Sequence, residues 1–349
     1  MANSKTLSAA IEKQAAQDRE REFARLKREL ATAQTKLKSS YQTIDGLKQE
    51  VADFAEITNR KPTKPFKSVA KDQKHPATAI VIFSDWHVGE TVRPEQVNGL
   101  NEYSPAIAKK RAEAVTQNAL RLIEDARGMA TVDTLVIGLL GDFITGWIHD
   151  ELSQTNAMPP IEETLFVGEL LEASLRSFEK NSGCSQIHIV CLVGNHGRHT
   201  KKTQAANRTA TSHEYGMYCQ LARSLKGTRL GWHSLSPHAG YVAMLDIGGG
   251  HVGRFMHGDS IKYQGGIGGM TIPVIKQIYR RNEKQKADFD FFGDKHTYWP
   301  GPNFQANGSL IGYGAYGNFL GFPYQDPLQT FALCDHRRGM VSVRKLFCN

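Results

Sequence analysis

Between residues 5 and 58, apolar positions recur at alternating spacings of three and four: Phe23, Leu26, Leu30, Ala33, Leu37, Ile44, Leu47, Val51 and Phe54. Ser40 is the one polar position in that seam. The other faces are Ala, Gln, Glu, Lys and Arg, with no proline and a single glycine, Gly46. A seam of this period predicts a helix that coils with a partner helix. Its register weakens upstream of Phe23, at Ala16 and Arg19. Residues 59–76 then bring three prolines and several lysines, which helix does not tolerate and a linker does.

From Ala77 onward the pattern alternates. Ala79–Ser84, Thr134–Leu140 and Ile187–Val193 are continuous apolar runs of strand length, as strands buried on both faces require. Ser104-Pro105 has the form of an N-cap and first helical position, predicting a helix to about Arg127. Ile161–Lys180, His213–Leu225 and Ile272–Lys286 have helical periodicity. Tyr241–Ile247, Val252–Met256, Phe289–Phe292 and the Gly-punctuated last 40 residues predict strands. The order implies a layered α/β domain over 77–349, with helices packed on sheets, preceded by a coiled-coil arm over 1–58.

Composition sharpens this. Of 349 residues, 40% are hydrophobic and 22% charged, so the bulk folds as a globule. No apolar run approaches a membrane span, and the N-terminal segment has no apolar export core, so a cytoplasmic location is expected. The five cysteines form no CxxC, which argues against a disulfide framework or a zinc knuckle. The net charge is +8. Residues 1–75 hold 16 Lys/Arg against 10 Asp/Glu, or +6, leaving +2 for the rest. A basic arm suits nucleic acid, and it equally suits a solvated helical face.

The candidate chemistry follows the strands. Each apolar run ends in residues that bind hard or borderline metals: Asp85-Trp86-His87, Gly141-Asp142, Gly194-Asn195-His196, His257-Gly258-Asp259, and Gly293-Asp294-Lys295-His296. Ligands in layered α/β folds gather at the carboxyl ends of strands, so these groups should converge on one rim. Carboxylate, imidazole and amide donors without thiolate suit a pair of divalent ions. Nearby, His149 is placed to face the cleft, and Arg198 to contact phosphate. Lys262 and Tyr263 are candidate substrate contacts, on a glycine-rich wall spanning 258–270 that lacks P-loop spacing. Lys201, Lys202 and Arg208 extend a basic rim, as a solvated loop also would.

The ordered set DWH, GD, GNH, H and GDKH resembles the calcineurin-like metallophosphoesterase superfamily, whose pattern is D-x-H, G-D, G-N-H, H and G-H-x-H. The resemblance covers residues 79 to about 318, including Asn307-Gly308-Ser309-Leu310. It implies a β-sandwich flanked by helices. It also implies two divalent metal ions, with Mn²⁺ ahead of Mg²⁺, Fe²⁺ or Zn²⁺, and a hydroxide between them that attacks phosphorus. By the same resemblance Asp85, His87 and His296 hold one metal, Asn195 and His257 hold the other, Asp142 bridges, and His196 is the general acid. Asp294 stands where the family usually has histidine, and a carboxylate there keeps a ligand in place.

The arginine that the protein phosphatases of this family place after the second block is missing. With the basic arm and Arg280, Arg281 and Lys284, the chain is most similar in kind to SbcD-type DNA-repair exonucleases. That implies a DNA phosphodiesterase, homo-oligomeric through its coil and without a membrane partner. The alternatives are a small phosphoester or cyclic nucleotide as substrate, or a coiled-coil scaffold whose phosphoesterase domain is weak.

Overall fold

A computed structural model of the protein describes residues 2–58, 74–262 and 269–349. The chain divides into two compact units, Met1–Val69 and Ala70–Asn349. The first unit contains one helix, α1 (Ala2–Thr58). Its length follows from composition, since strong helix formers run uninterrupted by proline. The seam positions Phe23, Leu26, Leu30, Leu37 and Val51 are all more than half exposed in the single chain. The linker expected over 59–76 falls mostly outside the described residues, and Pro76 opens the first strand.

The second unit is built on two sheets. The first contains β1 (Pro76–Phe83), β2 (Thr131–Leu139), β3 (Gln186–Cys191), β4 (Leu230–His233), β10 (Leu328–Asp335) and β11 (Gly339–Phe347), in the order β11-β10-β1-β2-β3-β4. Strands β1 to β4 are parallel. The second contains β5 (Val242–Asp246), β6 (Val252–Met256), β7 (Phe289–Phe292), β8 (Trp299–Pro300) and β9 (Phe304–Ala306), in the order β5-β6-β7-β9-β8, with β6, β7 and β9 parallel.

Side-chain alternation explains the layers. Along β1, Ala79, Val81 and Phe83 join one core with helices α2 (Pro105–Arg127), α4 (Pro160–Asn181) and α5 (His213–Ser224). Ile80 and Ile82 point the other way and meet Val136, Val190, Phe255 and Phe291 between the sheets. Phe255 and Phe291 stack there, with centroids 5.2 Å apart. Burying each such ring stabilises the fold by about 2–3 kcal/mol. The outer face of the second sheet packs Met256, Phe292 and Phe304 on α6 (Thr271–Asn282). The unit is therefore a two-sheet sandwich flanked by helices.

Helix α2 starts as its sequence predicts, with the Ser104 side chain accepting from the Ile107 amide. Helix α6 stops at Asn282, short of Lys286, because the Asn282 carboxamide accepts from the Ala287 amide and turns the chain into β7. The last 40 residues are not all strand. Between Gly314 and Gly321 the chain makes a single helical turn or two, α7 (Ala315–Leu320), closed by Gly321 in the left-handed region at φ 69°. The short strands β4 and β8 carry too little apolar pattern to stand out in sequence. The short helix α3 (Leu152–Thr155) is similarly silent. Among the described residues, no helix is long and apolar enough to cross a membrane.

Candidate metal centre

The loops after β1, β2, β3, β6 and β7 meet at one rim, and their backbone is unusual. Seven non-glycine residues among those described have positive φ, and five of them are Asp85 (56°), His87 (48°), Asp142 (54°), Asp294 (65°) and His296 (51°). Left-handed backbone costs an ordinary side chain energy, and it persists where surrounding structure over-determines it, commonly at functional sites. Here the surroundings are visible. The Asp85 amide donates to the Gly141 carbonyl (3.0 Å) and the His87 amide to the Asp142 carbonyl (3.1 Å). The Asp294 amide donates to both oxygens of the Asp85 carboxylate, at 2.9 and 3.1 Å. The GNH glycine has a steric reason too. A Cβ on Gly194 would lie 1.9 Å from Oδ1 of Asp142, so only glycine lets that carboxylate sit there.

Two groups of donor atoms result, each within 4.8 Å: Asp85, His87 and His296, and Asp85, Asp142 and His257. Asp85 belongs to both. The sequence resemblance assigns the bridging role to Asp142, which stands in the second group, and Asp85 is the carboxylate the two groups share.

His257 shows what the site is shaped for. Its Nδ1 donates to the Leu140 carbonyl at 2.7 Å, which leaves Nε2 as a lone pair. That Nε2 faces Oδ1 of Asn195 at 3.1 Å, Oδ2 of Asp142 at 3.1 Å and Oδ1 of Asp294 at 3.5 Å. Four electron-rich atoms pointed at one another repel unless a cation sits among them. Nε2 of His87 and Nε2 of His296 likewise converge at 3.1 Å, with Oδ1 of Asp85 3.6 Å from the latter. The buried Nδ1 of His87 has no hydrogen-bond partner. Oxygen and imidazole donors in such sets fit divalent cations.

Charge tells the same story. Burial, reinforced by the neighbouring His196 and His296, holds His87 well below its usual value. Burial brings His296 down to about 4. Both rings are thus neutral donors at pH 7. Burial pushes the Asp85 carboxyl well up, and Asp142 and Asp294 add to this. Burial opposes ionisation of Asp142 and of His257 as well, yet their mutual attraction outweighs it. Asp142 is held well below the carboxylate range and His257 well above the imidazole range. Asp294 falls to about 2 against the effect of burial, through His257 and Lys295. In the absence of a metal, a proton on His257 occupies the place a cation would take.

His196 lies beside this centre. Its Nδ1 donates to the Thr145 carbonyl at 2.8 Å, leaving Nε2 for a substrate, and its ring meets His87 edge-on at 4.7 Å. The His149 ring is 6.4 Å from His196. A cleft of about 370 Å³ opens from Asn195 and Asp294, with His149, Arg198 and Lys262 on its walls. Tyr263 lies outside the described residues. Arg208 is not free on the rim, because it pairs with Asp259 at 2.8 Å. Arg281 lies over the Tyr241 ring at 5.4 Å, whereas Arg280 and Lys284 are exposed.

Sequence reasoning missed the buried groups that hold these loops. Glu214 accepts from the Phe143 and Gly194 amides, both at 2.7 Å, and so ties the second motif loop to the third. Burial first, and Asp142 second, raise its carboxyl to about 7. Glu163 accepts from the Thr145 amide at 2.6 Å. Asn307 donates to Oγ of Ser84 at 2.8 Å, and Ser84 in turn contacts the Asp85 carboxylate. Lys295 pairs with Asp294 at 2.6 Å. Of these, Asn307 and Lys295 lay inside quoted motifs. Glu214 had only its place behind the N-cap Ser212 as a signal.

No family model matches the chain, and no curated protein does. Among solved structures, one match is a sulfate thiohydrolase SoxB from Thermus thermophilus in complex with glycerol. It is 10% identical, with a TM-score of 0.30, covering 82% of this chain and 57% of that one. Another is a putative 5'-nucleotidase from Staphylococcus aureus in complex with alpha-ketoglutarate. It is 10% identical, with a TM-score of 0.30, covering 77% of this chain and 53% of that one. The chain thus spans a little over half the length of each.

Proposed function

We propose that the protein is a metal-dependent phosphoester hydrolase of the calcineurin-like kind, acting on the phosphodiesters of DNA. The observation that carries the reading is the pair of donor groups sharing Asp85, with the His196 ring beside them, edge-on to His87 and fixed through Nδ1 to the Thr145 carbonyl. Asp85, His87 and His296 would hold one divalent ion. Asn195, His257, Asp142 and Asp294 would complete the surroundings of a second. Three carboxylates favour Mn²⁺ or Mg²⁺ over softer ions. When bound, two such ions neutralise charge on the phosphoryl oxygens and make water acidic enough to attack at neutral pH.

The chain's own residues supply the rest. His196, fixed by the Thr145 carbonyl, hands a proton to the departing alkoxide. Its backbone amide donates to Oδ1 of Asp142 at 2.8 Å, so acid and ligand move together. Arg198, on the cleft wall beside the centre, offers its guanidinium to a phosphate of the substrate. An inactive scaffold would follow if Asp294, standing where the family usually has histidine, cost the site a ligand. Its carboxylate lies 3.5 Å from His257, where a ligand is needed, so the substitution removes no donor. A nucleotide-sized cleft also suits a small phosphoester as the alternative substrate.

The test is hydrolysis of bis(p-nitrophenyl) phosphate and of single- and double-stranded DNA with Mn²⁺ and with Mg²⁺, alongside metal analysis. Wild type should bind close to two ions per chain and cleave the diesters. His196→Ala should keep its metal and lose roughly 10²- to 10⁴-fold in kcat on DNA, whose leaving group needs the proton. Full kcat in that variant would remove the acid assignment, and a protein that binds no metal would remove the reading.

A further inference from the structure

Charge in the cleft beside the metal centre is unevenly compensated. Five charged side chains line it: Arg198, Asp259, Lys262, Asp294 and Lys295. Asp259 is taken up by Arg208 at 2.8 Å, a pair of which only 10% and 18% is exposed. Asp294 is taken up by Lys295 at 2.6 Å and faces His257. Arg198 donates to the Asn195 carbonyl, but among the described residues no carboxylate pairs with Arg198 or with Lys262. The buried Nε of Arg198 also lacks a partner. Arg198 and Lys262, which form no ion pair among the described residues, therefore share a concave wall that begins at Asn195 and Asp294. A guanidinium and an ammonium with donors to spare can take up an anion that enters it.

We propose that Arg198 and Lys262 form a second anion subsite, which binds a phosphate of the substrate other than the one hydrolysed. The inference rests on the phosphoesterase reading and narrows its substrate to esters carrying a further phosphate. The remaining walls support this. Ile148 and His149 offer apolar and imidazole surface for a sugar and base between the two phosphates. A volume of about 370 Å³ holds one nucleotide unit rather than a duplex. A free nucleoside bisphosphate and a single strand share this chemistry.

The experiment is calorimetry on the full-length, Mn²⁺-loaded protein with adenosine 5'-monophosphate and adenosine 3',5'-bisphosphate. The bisphosphate should bind roughly tenfold or more tightly than the monophosphate, as a charge-assisted contact predicts. Lys262→Ala and Arg198→Ala should each bring that ratio towards one. Lys262 is exposed, so its variant should fold, and far-ultraviolet circular dichroism checks both. A ratio of one in wild type, or a ratio that survives both substitutions, overturns the subsite. A thymidine hexanucleotide binding more tightly than the bisphosphate assigns the subsite to a strand; weaker binding assigns it to a free nucleotide. Hydrolysis of bis(p-nitrophenyl) phosphate tests the underlying reading separately. A protein that prefers the bisphosphate but cleaves no ester keeps the subsite and loses the hydrolase.

Discussion

His257 donates through Nδ1 to the Leu140 carbonyl and presents Nε2 to Asp142, Asn195 and Asp294. Without metal its raised pKa keeps the ring protonated at pH 7, whereas His87 and His296 are already neutral. Metal binding must expel that proton and must also compete with protonation of the raised Asp85 carboxyl, which both donor groups share. Binding Mn²⁺ at pH 7 should therefore release at least one proton, and affinity should rise roughly tenfold or more per pH unit until these groups deprotonate. Calorimetry in two buffers of different ionisation enthalpy counts the proton; zero released would contradict the assignment. The stability sign follows the same group. A folded pKa above the unfolded 6.5 gives stability that is complete below pH 6.5 and is lost as pH rises through the folded value. Metal-free protein should accordingly lose thermal stability on the alkaline side, and metal should restore it.

At the scale of elements, two pieces carry separate consequences. Helix α5 delivers Glu214, whose two oxygens each accept one backbone amide. Glu214→Gln puts an NH₂ group against one of those donors. It should destabilise the fold by about 1–3 kcal/mol, read as a fall in the urea midpoint, and should weaken metal binding by loosening the Asp142 loop. Unchanged stability and metal affinity would show that the carboxylate is dispensable. Helix α1 exposes Leu30 and Leu37 at 59% and 56% in the single chain, on one seam of otherwise polar faces. That is the surface a coiled coil buries. Leu30→Glu with Leu37→Glu should convert an oligomer to a monomer by analytical ultracentrifugation, with diester hydrolysis per chain retained. A monomeric wild type would remove the coil.

For the whole molecule, the distribution of charge matters more than its sum. Most of the +8 lies in residues 1–75, while the rest of the chain is nearly balanced. Affinity for nucleic acid held by that arm should fall steeply with salt, because each phosphate contact releases condensed counterions. Deleting 1–75 should flatten the plot of log affinity against log salt for single-stranded DNA, while hydrolysis of bis(p-nitrophenyl) phosphate persists. An unchanged slope would place the DNA contacts on the catalytic unit, with Arg198 and Lys262 the first candidates.

Much of this was legible along the chain because it is written in local chemistry. Periodicity marks α1, apolar runs mark β1 to β3, Ser104-Pro105 marks the start of α2, and ligand-type residues follow each strand. Those signals depend only on neighbours within a few positions, so one dimension suffices to see them. Tertiary structure alone decided which groups converge. Asp85 is the carboxylate common to both donor sets, and the Asp294 amide, 209 positions along the chain, donates to it. Glu214 binds two loops that lie far from it in sequence. Arg208 loses its place on the basic rim to Asp259, and Arg198 forms no ion pair among the described residues. Pairing between distant charges and the satisfaction of buried donors depend on distance in space, and spacing along the chain carries no measure of that.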